Sequence, residues 1–453
     1  MKYILLTFII CANLFASNYL DENLKKYKWG DLEVVWLEDS TFPTYDITVY
    51  FNDGALSESS HGTTQLMFDE LTSGTTRYSR KEILDVLEFY GASYGANVTH
   101  EYSTFSLSGL VKDIEPSLKM VCHLFKSTTY PIKEINKTKA RARTGLKNLV
   151  NNHGALASRI FRELSLKETP YSNPVGGSLS TLNKISAKDL HTRLLEFNQK
   201  IKKKIYIKAP AGTKGIKNII AKDCGWDGKK ATVSVELPKV KKKSSKKDKI
   251  YFVSVPNANQ AQIRIGTYLN SEQSGKDYTL NELASRYIGG GFTSVLMQEL
   301  RVKRGLTYSA GAYASSQSSY GRVGINTFTK NETIVETLQV IKEVIEKQTK
   351  DIPVESFSYL KNFLKGTYLF GLESSSAFIK NLLFFDHIGR DYDEIYAFPK
   401  EVDSVTIDQA KNKIAELFDW STQTKLVLGD KKLIKVLKKA GYSVEVVKYN
   451  KFL

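Results

Sequence analysis

Short runs that alternate apolar and polar residues open both halves of the chain and predict strands with one buried face. Helix-period stretches follow these runs, and each half then closes on another strand-like run. The strand-like runs are Leu32–Trp36, Ile47–Phe51 and Lys204–Ile207 in the first half, and Ile250–Val253, Gln262–Ile265 and Lys425–Gly429 in the second. The helical stretches are 62–73 and 79–90, then 277–287 and 293–303. This repeated order predicts an α+β fold of two duplicated halves, each with antiparallel β-sheets flanked by helices.

A lysine-rich segment separates the two halves. Residues 239–249 contain seven lysines and one aspartate and have no apolar face, which is typical of a solvated, extended linker. An anion-binding patch is the alternative, but the segment lacks the aromatic residues that stack on nucleic-acid bases. We therefore predict an N-terminal half at 22–237, a linker at 238–249 and a C-terminal half at 250–453.

The first seventeen residues have the layout of a secretory signal peptide. Lys2 precedes an apolar run from Tyr3 to Leu14, and small residues follow at Ala16 and Ser17. The run is too short to cross a bilayer, and no other stretch reaches the roughly 18 apolar residues that a transmembrane helix needs. We expect residues 1–17 to be removed and the mature protein to be exported to the periplasm.

Composition and charge narrow this picture only slightly. The chain has 453 residues, 42% of them apolar, and a formal net charge of +17, which fits a folded globular protein with a basic surface. Such an excess admits nucleic acid, an anionic membrane or an acidic protein as partner. Seven lysines and one aspartate give the linker a net charge of +6, and the rest of the excess is spread over the remaining chain, so no nucleic-acid partner is expected. Beyond the leader only Cys122 and Cys224 remain, which is no disulfide framework, and the sequence does not say whether they pair.

Two groups of motifs resemble the pitrilysin/insulinase family of zinc peptidases, the inverzincins. The first group is Asp53-Gly54-Ala55-Leu56 with Gly62 and Gly74-Thr75, followed later by Pro170–Gly176. The second group runs from Gly289-Gly290-Gly291-Phe292 through Glu299-Leu300-Arg301 to Gly305-Leu306-Thr307-Tyr308. The resemblance covers nearly the whole chain after the leader, and it is to short, bacterial processing-peptidase-like members. It implies a chain that forms one side of a clamshell chamber.

The zinc motif of that family is missing at the matching positions. Active members carry H-x-x-E-H on a helix, where two histidines bind Zn²⁺ and the glutamate activates water, and a second helix adds a third ligand. The matching residues here are Gln65, Phe68 and Asp69, with Gly145 at the position of the third ligand. Only Asp69 is a plausible ligand, and no general base remains. We predict that this chain holds no metal and that Phe68 packs in the space of the lost centre.

The second half keeps residues to which the resemblance assigns a role. It implies that Arg301 and Tyr308 hydrogen-bond the substrate and the developing oxyanion from across the cleft. The alternative is that Arg301 pairs with Glu299 or another surface carboxylate and that Tyr308 packs in a sheet. Gly305 is expected to end the helix between them.

The resemblance also implies two substrate-binding elements. One is a loop at the chamber mouth with Gly290, Gly291 and Phe292. The other is the segment around Ala96, which resembles the edge strand on which such enzymes pair the substrate backbone. Gly95 replaces the asparagine that is usual beside it.

Together these expectations describe a non-catalytic, substrate-binding and oxyanion-stabilising subunit of a heterodimeric, exported zinc metallopeptidase that cleaves peptides or unfolded protein. A paralogous partner with the H-x-x-E-H motif would supply the zinc, and this chain would be inactive alone. Two alternatives stay open. One is a catalytically dead scaffold or binding protein of the cell envelope, and the other is an independent zinc peptidase with substitute ligands.

Overall fold

The computed structural model describes residues 22–226, 233, 235–241 and 249–453. The expected signal peptide at 1–17 and residues 242–248 of the expected linker lie outside this part. The chain forms two compact units. The first contains the chain up to Ala142 with Val175–Glu236 and Gly371–Phe384, and the second contains Arg143–Pro174, Leu237–Phe370 and Phe385–Leu453.

The first unit is built on a six-stranded sheet with the order β1-β2-β6-β3-β5-β4. Its strands are β1 (Leu24–Trp29), β2 (Leu32–Glu38), β3 (Thr44–Phe51), β4 (Ser93–Val98), β5 (Ser103–Leu110) and β6 (Lys203–Ala209). Strands β2 and β6 are parallel, and the other neighbours are antiparallel. The sheet is therefore mixed, because a long helical connection returns the chain beside β2 in the same direction.

The second unit repeats this sheet with the order β12-β7-β11-β8-β10-β9. Its strands are β7 (Lys249–Ser254), β8 (Gln260–Asn270), β9 (Ala310–Ser316), β10 (Tyr320–Lys330), β11 (Thr424–Gly429) and β12 (Ser443–Val447). Strand β7 is parallel to both β11 and β12, and the remaining pairs are antiparallel. Five strands thus follow in the same order and directions as in the first sheet. The predicted α+β class with two duplicated halves is confirmed. The expectation of antiparallel sheets is wrong at the parallel pairs β2–β6, β7–β11 and β7–β12, because helical connections return the chain in the same direction.

Helices fill the connections of both sheets. Those before the linker are α1 (Thr63–Asp69), α2 (Arg80–Phe89), α3 (Ile114–Ser127), α4 (Ile132–Asn148), α5 (His153–Ser165), α6 (Leu179–Lys184), α7 (Ala187–Gln199) and α8 (Ile216–Ile219). Those after it are α9 (Ser271–Gly275), α10 (Tyr278–Gly289), α11 (Ile334–Gln348), α12 (Val354–Phe370), α13 (Ser375–Ile388), α14 (Asp393–Ser404), α15 (Ile407–Leu417) and α16 (Leu433–Lys439). Two π-helical segments are Ile220–Cys224 and Met297–Lys303. Short 3-10 helices lie at Val111–Asp113, Leu149–Asn151, Asn331–Thr333 and Tyr449–Phe452. In the described part of the chain, none of these helices combines the length and the apolarity that a bilayer crossing requires.

Each half of the sequence contributes a helical segment to the unit of the other half. Helix α5 packs on the second sheet, where its Phe161 approaches Gly266 so closely that a Cβ there would lie 3.1 Å from the ring. The start of α13 joins the first unit, where the hydroxyls of Ser375 and Ser376 donate to Asp39 and Asp46 at 2.5 and 2.8 Å. The sequence pattern gave no sign of this exchange, because amphipathic helices do not specify which sheet covers them.

Cys122 and Cys224 form a disulfide, although the sequence alone did not say whether they pair. The disulfide links α3 to the π-helical segment at Ile220–Cys224, and both cysteines are fully buried. Phe125 on α3 and Trp226 lie beside it, with ring centroids 5.2 Å apart. The bridge therefore fastens the π-helical segment Ile220–Cys224 to the aromatic core of the first unit.

We expect removal of this bridge to lower the free energy of unfolding. The two cysteines are 102 residues apart in sequence, and cross-linking a loop of that length restricts the unfolded chain by about 4–5 kcal/mol. Urea unfolding of the double variant Cys122→Ala/Cys224→Ala should show this loss, and a reductant should then have no further effect. Equal stability of the oxidised protein and the double variant would contradict the expectation.

Candidate functional site

A buried ion pair holds the loop that carries the first family motif. Nη2 of Arg193 on α7 lies 2.9 Å from Oδ2 of Asp53 and donates to the Gly54 carbonyl at 2.8 Å. Burial raises the pKa of Asp53, and the charge of Arg193 opposes that shift. A Cβ on Gly54 would lie 2.3 Å from the carbonyl oxygen of Thr99, so only glycine fits here. These motif residues therefore shape the loop rather than perform chemistry.

A second carboxylate fixes the beginning of α1. Glu58 accepts hydrogen bonds from the backbone N–H groups of Gly62 and Thr64, each at 2.7 Å. A helix leaves its first N–H groups without intrahelical partners, and a carboxylate satisfies them while interacting well with the helix dipole. The position of α1 thus depends on the loop before it.

Helix α1 presents the three residues that replace the zinc motif. Nε2 of Gln65 donates to Oδ1 of Asp69 at 2.8 Å, so the only candidate ligand is hydrogen-bonded to its neighbour. The side chain of Phe68 is 6% exposed and packs among the rings of Phe51, Phe125 and Phe197, at centroid distances of 6.0, 6.4 and 5.4 Å. The packing interpretation of this helix is confirmed at Phe68.

The residues present do not fit a zinc ion. Gly145 is exposed on α4 and offers no side chain. Across 22–226, 233, 235–241 and 249–453, no group of three His, Cys, Asp or Glu residues is placed to hold a metal. A structural or catalytic zinc site needs at least three such ligands.

Truncation of Phe68 tests its role in the core. We expect Phe68→Ala to lower the free energy of unfolding by about 3–5 kcal/mol, because it leaves a cavity among packed rings. Phe292→Ala is the matched control, since Phe292 is 60% exposed and its removal should change stability little. Equal effects of the two substitutions in urea unfolding would contradict the packing role.

Substituting the H-x-x-E-H residues back into α1 should not restore a metal site. We expect Gln65→His/Phe68→Glu/Asp69→His to be less stable than the natural chain, because it buries a carboxylate where Phe68 packs. The variant should also lack stoichiometric zinc by elemental analysis, since Gly145 leaves the third position empty. One tightly bound zinc per chain would contradict this expectation.

The second unit brings Arg301, Tyr308 and Phe292 together. Arg301 lies on the π-helical segment Met297–Lys303, a wide helix type that is rare and often found at functional sites. Gly305, at φ 63°, ends that segment in the left-handed conformation, as predicted. The guanidinium carbon of Arg301 then lies 4.3 Å from the ring centroid of Tyr308 and 5.0 Å from that of Phe292. Two aromatic faces thus hold the cation by cation–π contact.

The alternative interpretation of these residues is wrong. Glu299 pairs with Lys303 at 2.6 Å and with Arg304, not with Arg301. Tyr308 is 71% exposed and precedes β9 instead of packing within a sheet. In the described part of the chain the Arg301 guanidinium has no hydrogen bond or ion pair, so its donors stay available.

Two of the three glycines at 289–291 are required by close packing within the second unit. A Cβ on Gly289 would lie 2.0 Å from the backbone nitrogen of Ala312 on β9, and one on Gly290 would lie 2.5 Å from the Arg286 side chain. A Cβ on Gly291 would meet nothing within 4 Å. The first two glycines therefore allow α10 to end against the sheet and turn. Substrate binding by Gly290, Gly291 and Phe292 stays a prediction.

Ala96 lies on β4, the outer strand of the first sheet. It pairs with Phe105 of β5 on one side, and the described residues place no strand on the other. Residues 93–97 are exposed along this edge. An edge strand with free backbone groups can pair with an extended peptide, so the position of Ala96 suits the expected role.

Sequence reasoning missed Arg193. It lies on α7 among Leu190, Leu194 and Phe197, which are all buried. A charged residue at helical spacing within an apolar face signals a buried ion pair. That pattern was visible in the sequence, but its partner Asp53 was not.

Comparison with known proteins identifies the class. The family pattern described as Insulinase (Peptidase family M16) matches residues 33–178, and the one described as Peptidase M16 inactive domain matches residues 216–364. The chain belongs to the M16 peptidase family, which confirms the resemblance.

Relatives and solved structures agree with this assignment. The chain is 23% identical over 381 residues to the Non-peptidase homolog YmxG of Helicobacter pylori, covering 81% of this chain and 84% of that protein. It is 22% identical over 412 residues to the Uncharacterized zinc protease YmxG of Bacillus subtilis, and the match covers 87% of this chain and 96% of that protein. A crystal structure of a peptidase M16 inactive domain from Pseudomonas fluorescens has a TM-score of 0.79 at 21% identity, covering 90% and 98%. The crystal structure of a protease from Helicobacter pylori has a TM-score of 0.71 at 15% sequence identity, and the match covers 90% of this chain and 99% of that one. These structures share the fold.

Proposed function

We propose that this protein is a non-catalytic subunit of an exported heterodimeric zinc peptidase, and that it donates Arg301 and Tyr308 to cleavage in a partner chain. The observation that carries the proposal is the aromatic clamp on Arg301. The clamp holds a permanent cation beside an exposed phenol, and no carboxylate among the described residues pairs with that cation. Fixed donors of this kind stabilise an oxyanion that develops in a transition state.

The first unit supports a role without its own hydrolysis. Phe68 occupies the position of the general base, and Gln65 with Asp69 is engaged in a side-chain hydrogen bond. The relative from Helicobacter pylori is itself called a non-peptidase homolog. A paralogous chain with the H-x-x-E-H motif would therefore supply the zinc and the base.

The substrate in this proposal is an extended peptide or an unfolded protein. Such a chain has free backbone N–H and C=O groups, which match the open edge of β4 beside Ala96. The loop at Gly290, Gly291 and Phe292 lies next to Arg301 in the second unit, and it would contact a peptide that binds there.

Export to the periplasm is supported by the disulfide. Disulfides persist in oxidising compartments and are rare in the cytosol. The bridge between Cys122 and Cys224 fits the leader-like sequence at 1–17.

Reconstitution tests the proposed role. The partner should copurify from periplasmic extract as a chain with H-x-x-E-H, and peptide cleavage should need both chains. We expect Arg301→Ala to lower kcat about 100-fold with little change in KM, and Tyr308→Phe to lower it about tenfold, since oxyanion donors act mainly in the transition state.

Two neighbouring substitutions serve as controls. Arg304→Ala removes a cation that already pairs with Glu299, and Tyr359→Phe removes an exposed phenol on α12. Both should leave turnover unchanged. Normal turnover of both Arg301→Ala and Tyr308→Phe in an intact heterodimer would overturn the mechanism. Recovery of an envelope complex without any zinc-motif chain would instead favour a scaffold protein.

A further inference from the structure

Three arginines gather on one face of the second unit. Arg264 lies on β8, Arg322 lies on β10 and Arg162 lies on α5, which packs on this sheet. The strand register pairs Arg264 with Asn326, and Gly324 with Tyr313 of β9. Since side chains alternate between the faces of a strand, Arg264, Arg322 and Tyr313 share one face.

Arg264 is a buried member of this group with neutral partners. Its guanidinium donates to the carbonyls of Thr327 and Gly154, both at 3.1 Å, and to the Ser158 hydroxyl at 3.2 Å. Burial lowers the pKa of Arg264 to about 10, so the group stays charged at neutral pH. No carboxylate among the described residues pairs with it.

Arg162 and Arg322 have free donors beside this buried charge. The guanidinium carbon of Arg322 lies 6.0 Å from the ring centroid of Tyr313. Arg162 follows Phe161, whose ring would lie 3.1 Å from a Cβ on Gly266, and Gly266 shares a face of β8 with Arg264. Burial lowers the pKa of Arg162, and the charge of Arg322 adds to that shift, whereas Tyr313 and Tyr320 oppose it. Within the residues that the structure describes, neither arginine side chain has a hydrogen bond or an ion pair.

Two carboxylates border this face, and one of them, Glu168, contacts Tyr268, the residue opposite Arg322 in the strand register. Glu163 lies 3.8 Å from Arg159 on the same helix, and Glu168 accepts a hydrogen bond from the Tyr268 hydroxyl at 3.5 Å. Tyr320, which lies beside these arginines, is held in place because its ring stacks on that of Tyr171 with centroids 3.9 Å apart. The scaffold thus keeps like charges together, an arrangement that an anionic ligand would relieve.

We propose that Arg162 and Arg322 bind a peptide carboxylate, with the charge of Arg264 behind them and the hydroxyls of Tyr313 and Tyr320 beside them. Guanidinium groups match the two oxygens of a carboxylate with parallel hydrogen bonds. The carboxylate comes either from an acidic side chain or from the C-terminus of a peptide. The choice of a peptide ligand rests on the proposed function, and the acidic preference is the new element.

Peptide binding to the purified single chain tests this site without any cleavage. The probes are labelled ten-residue peptides: one with central Glu and Asp and an amidated end, one with Gln and Asn instead, and one neutral with a free C-terminus. Fluorescence anisotropy should give tighter binding for a carboxylate-bearing peptide, and added salt should weaken that binding. Tight binding of the first peptide identifies a side-chain carboxylate, and tight binding of the third identifies the C-terminus.

Charge-removing substitutions locate the site. We expect Arg162→Gln and Arg322→Gln each to weaken binding of the carboxylate-bearing peptide about tenfold or more, in the range seen for charged hydrogen-bond partners. Arg286→Gln is the matched control, because Arg286 is exposed in the same unit and pairs with Glu282 at 3.1 Å. If a glutamine variant fails to fold, Arg162→Lys or Arg322→Lys keeps the charge and should still weaken binding by loss of the paired hydrogen bonds.

Two results would overturn the site. One is equal binding of all three peptides, and the other is unchanged binding by folded Arg162 and Arg322 variants. The peptide measurements use the single chain and need no partner. A failed reconstitution with the partner would therefore count against the proposed function alone, whereas loss of the carboxylate preference would count against this site alone.

Discussion

The buried ring of Phe68 constrains what this protein can do. It packs among Phe51, Phe125 and Phe197 at the point where active relatives place a catalytic carboxylate. The same aromatic core extends to Trp226 and is fastened by the Cys122–Cys224 bridge. Helix α1 is thereby part of the core of the first unit. The general-base position of the family motif is therefore filled by a core side chain.

Aromatic rings contact Arg301 and Arg322 of the second unit. Lys303 and Arg304 pair with Glu299, as exposed cations commonly do, but Arg301 is held between two aromatic rings. Arg162 and Arg322 also lie beside tyrosines instead of carboxylates. Aromatic rings fix the direction of a guanidinium while leaving its N–H donors free. This is the arrangement expected of groups that bind a ligand.

Much of the fold follows from local patterns. Alternating runs such as Ile47–Phe51 and Gln262–Ile265 become strands β3 and β8, since a strand with one buried face requires that period. Gly305 ends its helix as its conformational freedom suggests. The loss of the zinc motif was also readable, because ligand chemistry depends on residue type. The parallel pairs and the exchange of α5 and α13 were not, because they depend on which surfaces meet.

The sequence by itself determined the α+β class, the duplication, the family resemblance and the absence of a histidine pair at the motif positions. Only the tertiary structure decided that Cys122 and Cys224 form a disulfide and that Arg193 pairs with Asp53. It also decided that Glu299 forms ion pairs with Lys303 and Arg304 and not with Arg301. It also placed Arg264 of β8 against α5, where the Ser158 hydroxyl and the Gly154 carbonyl accept its hydrogen bonds. The reason is physical: periodicity and residue type act over a few residues, whereas ion pairs, disulfides and ligand-binding clusters depend on distances that packing alone sets.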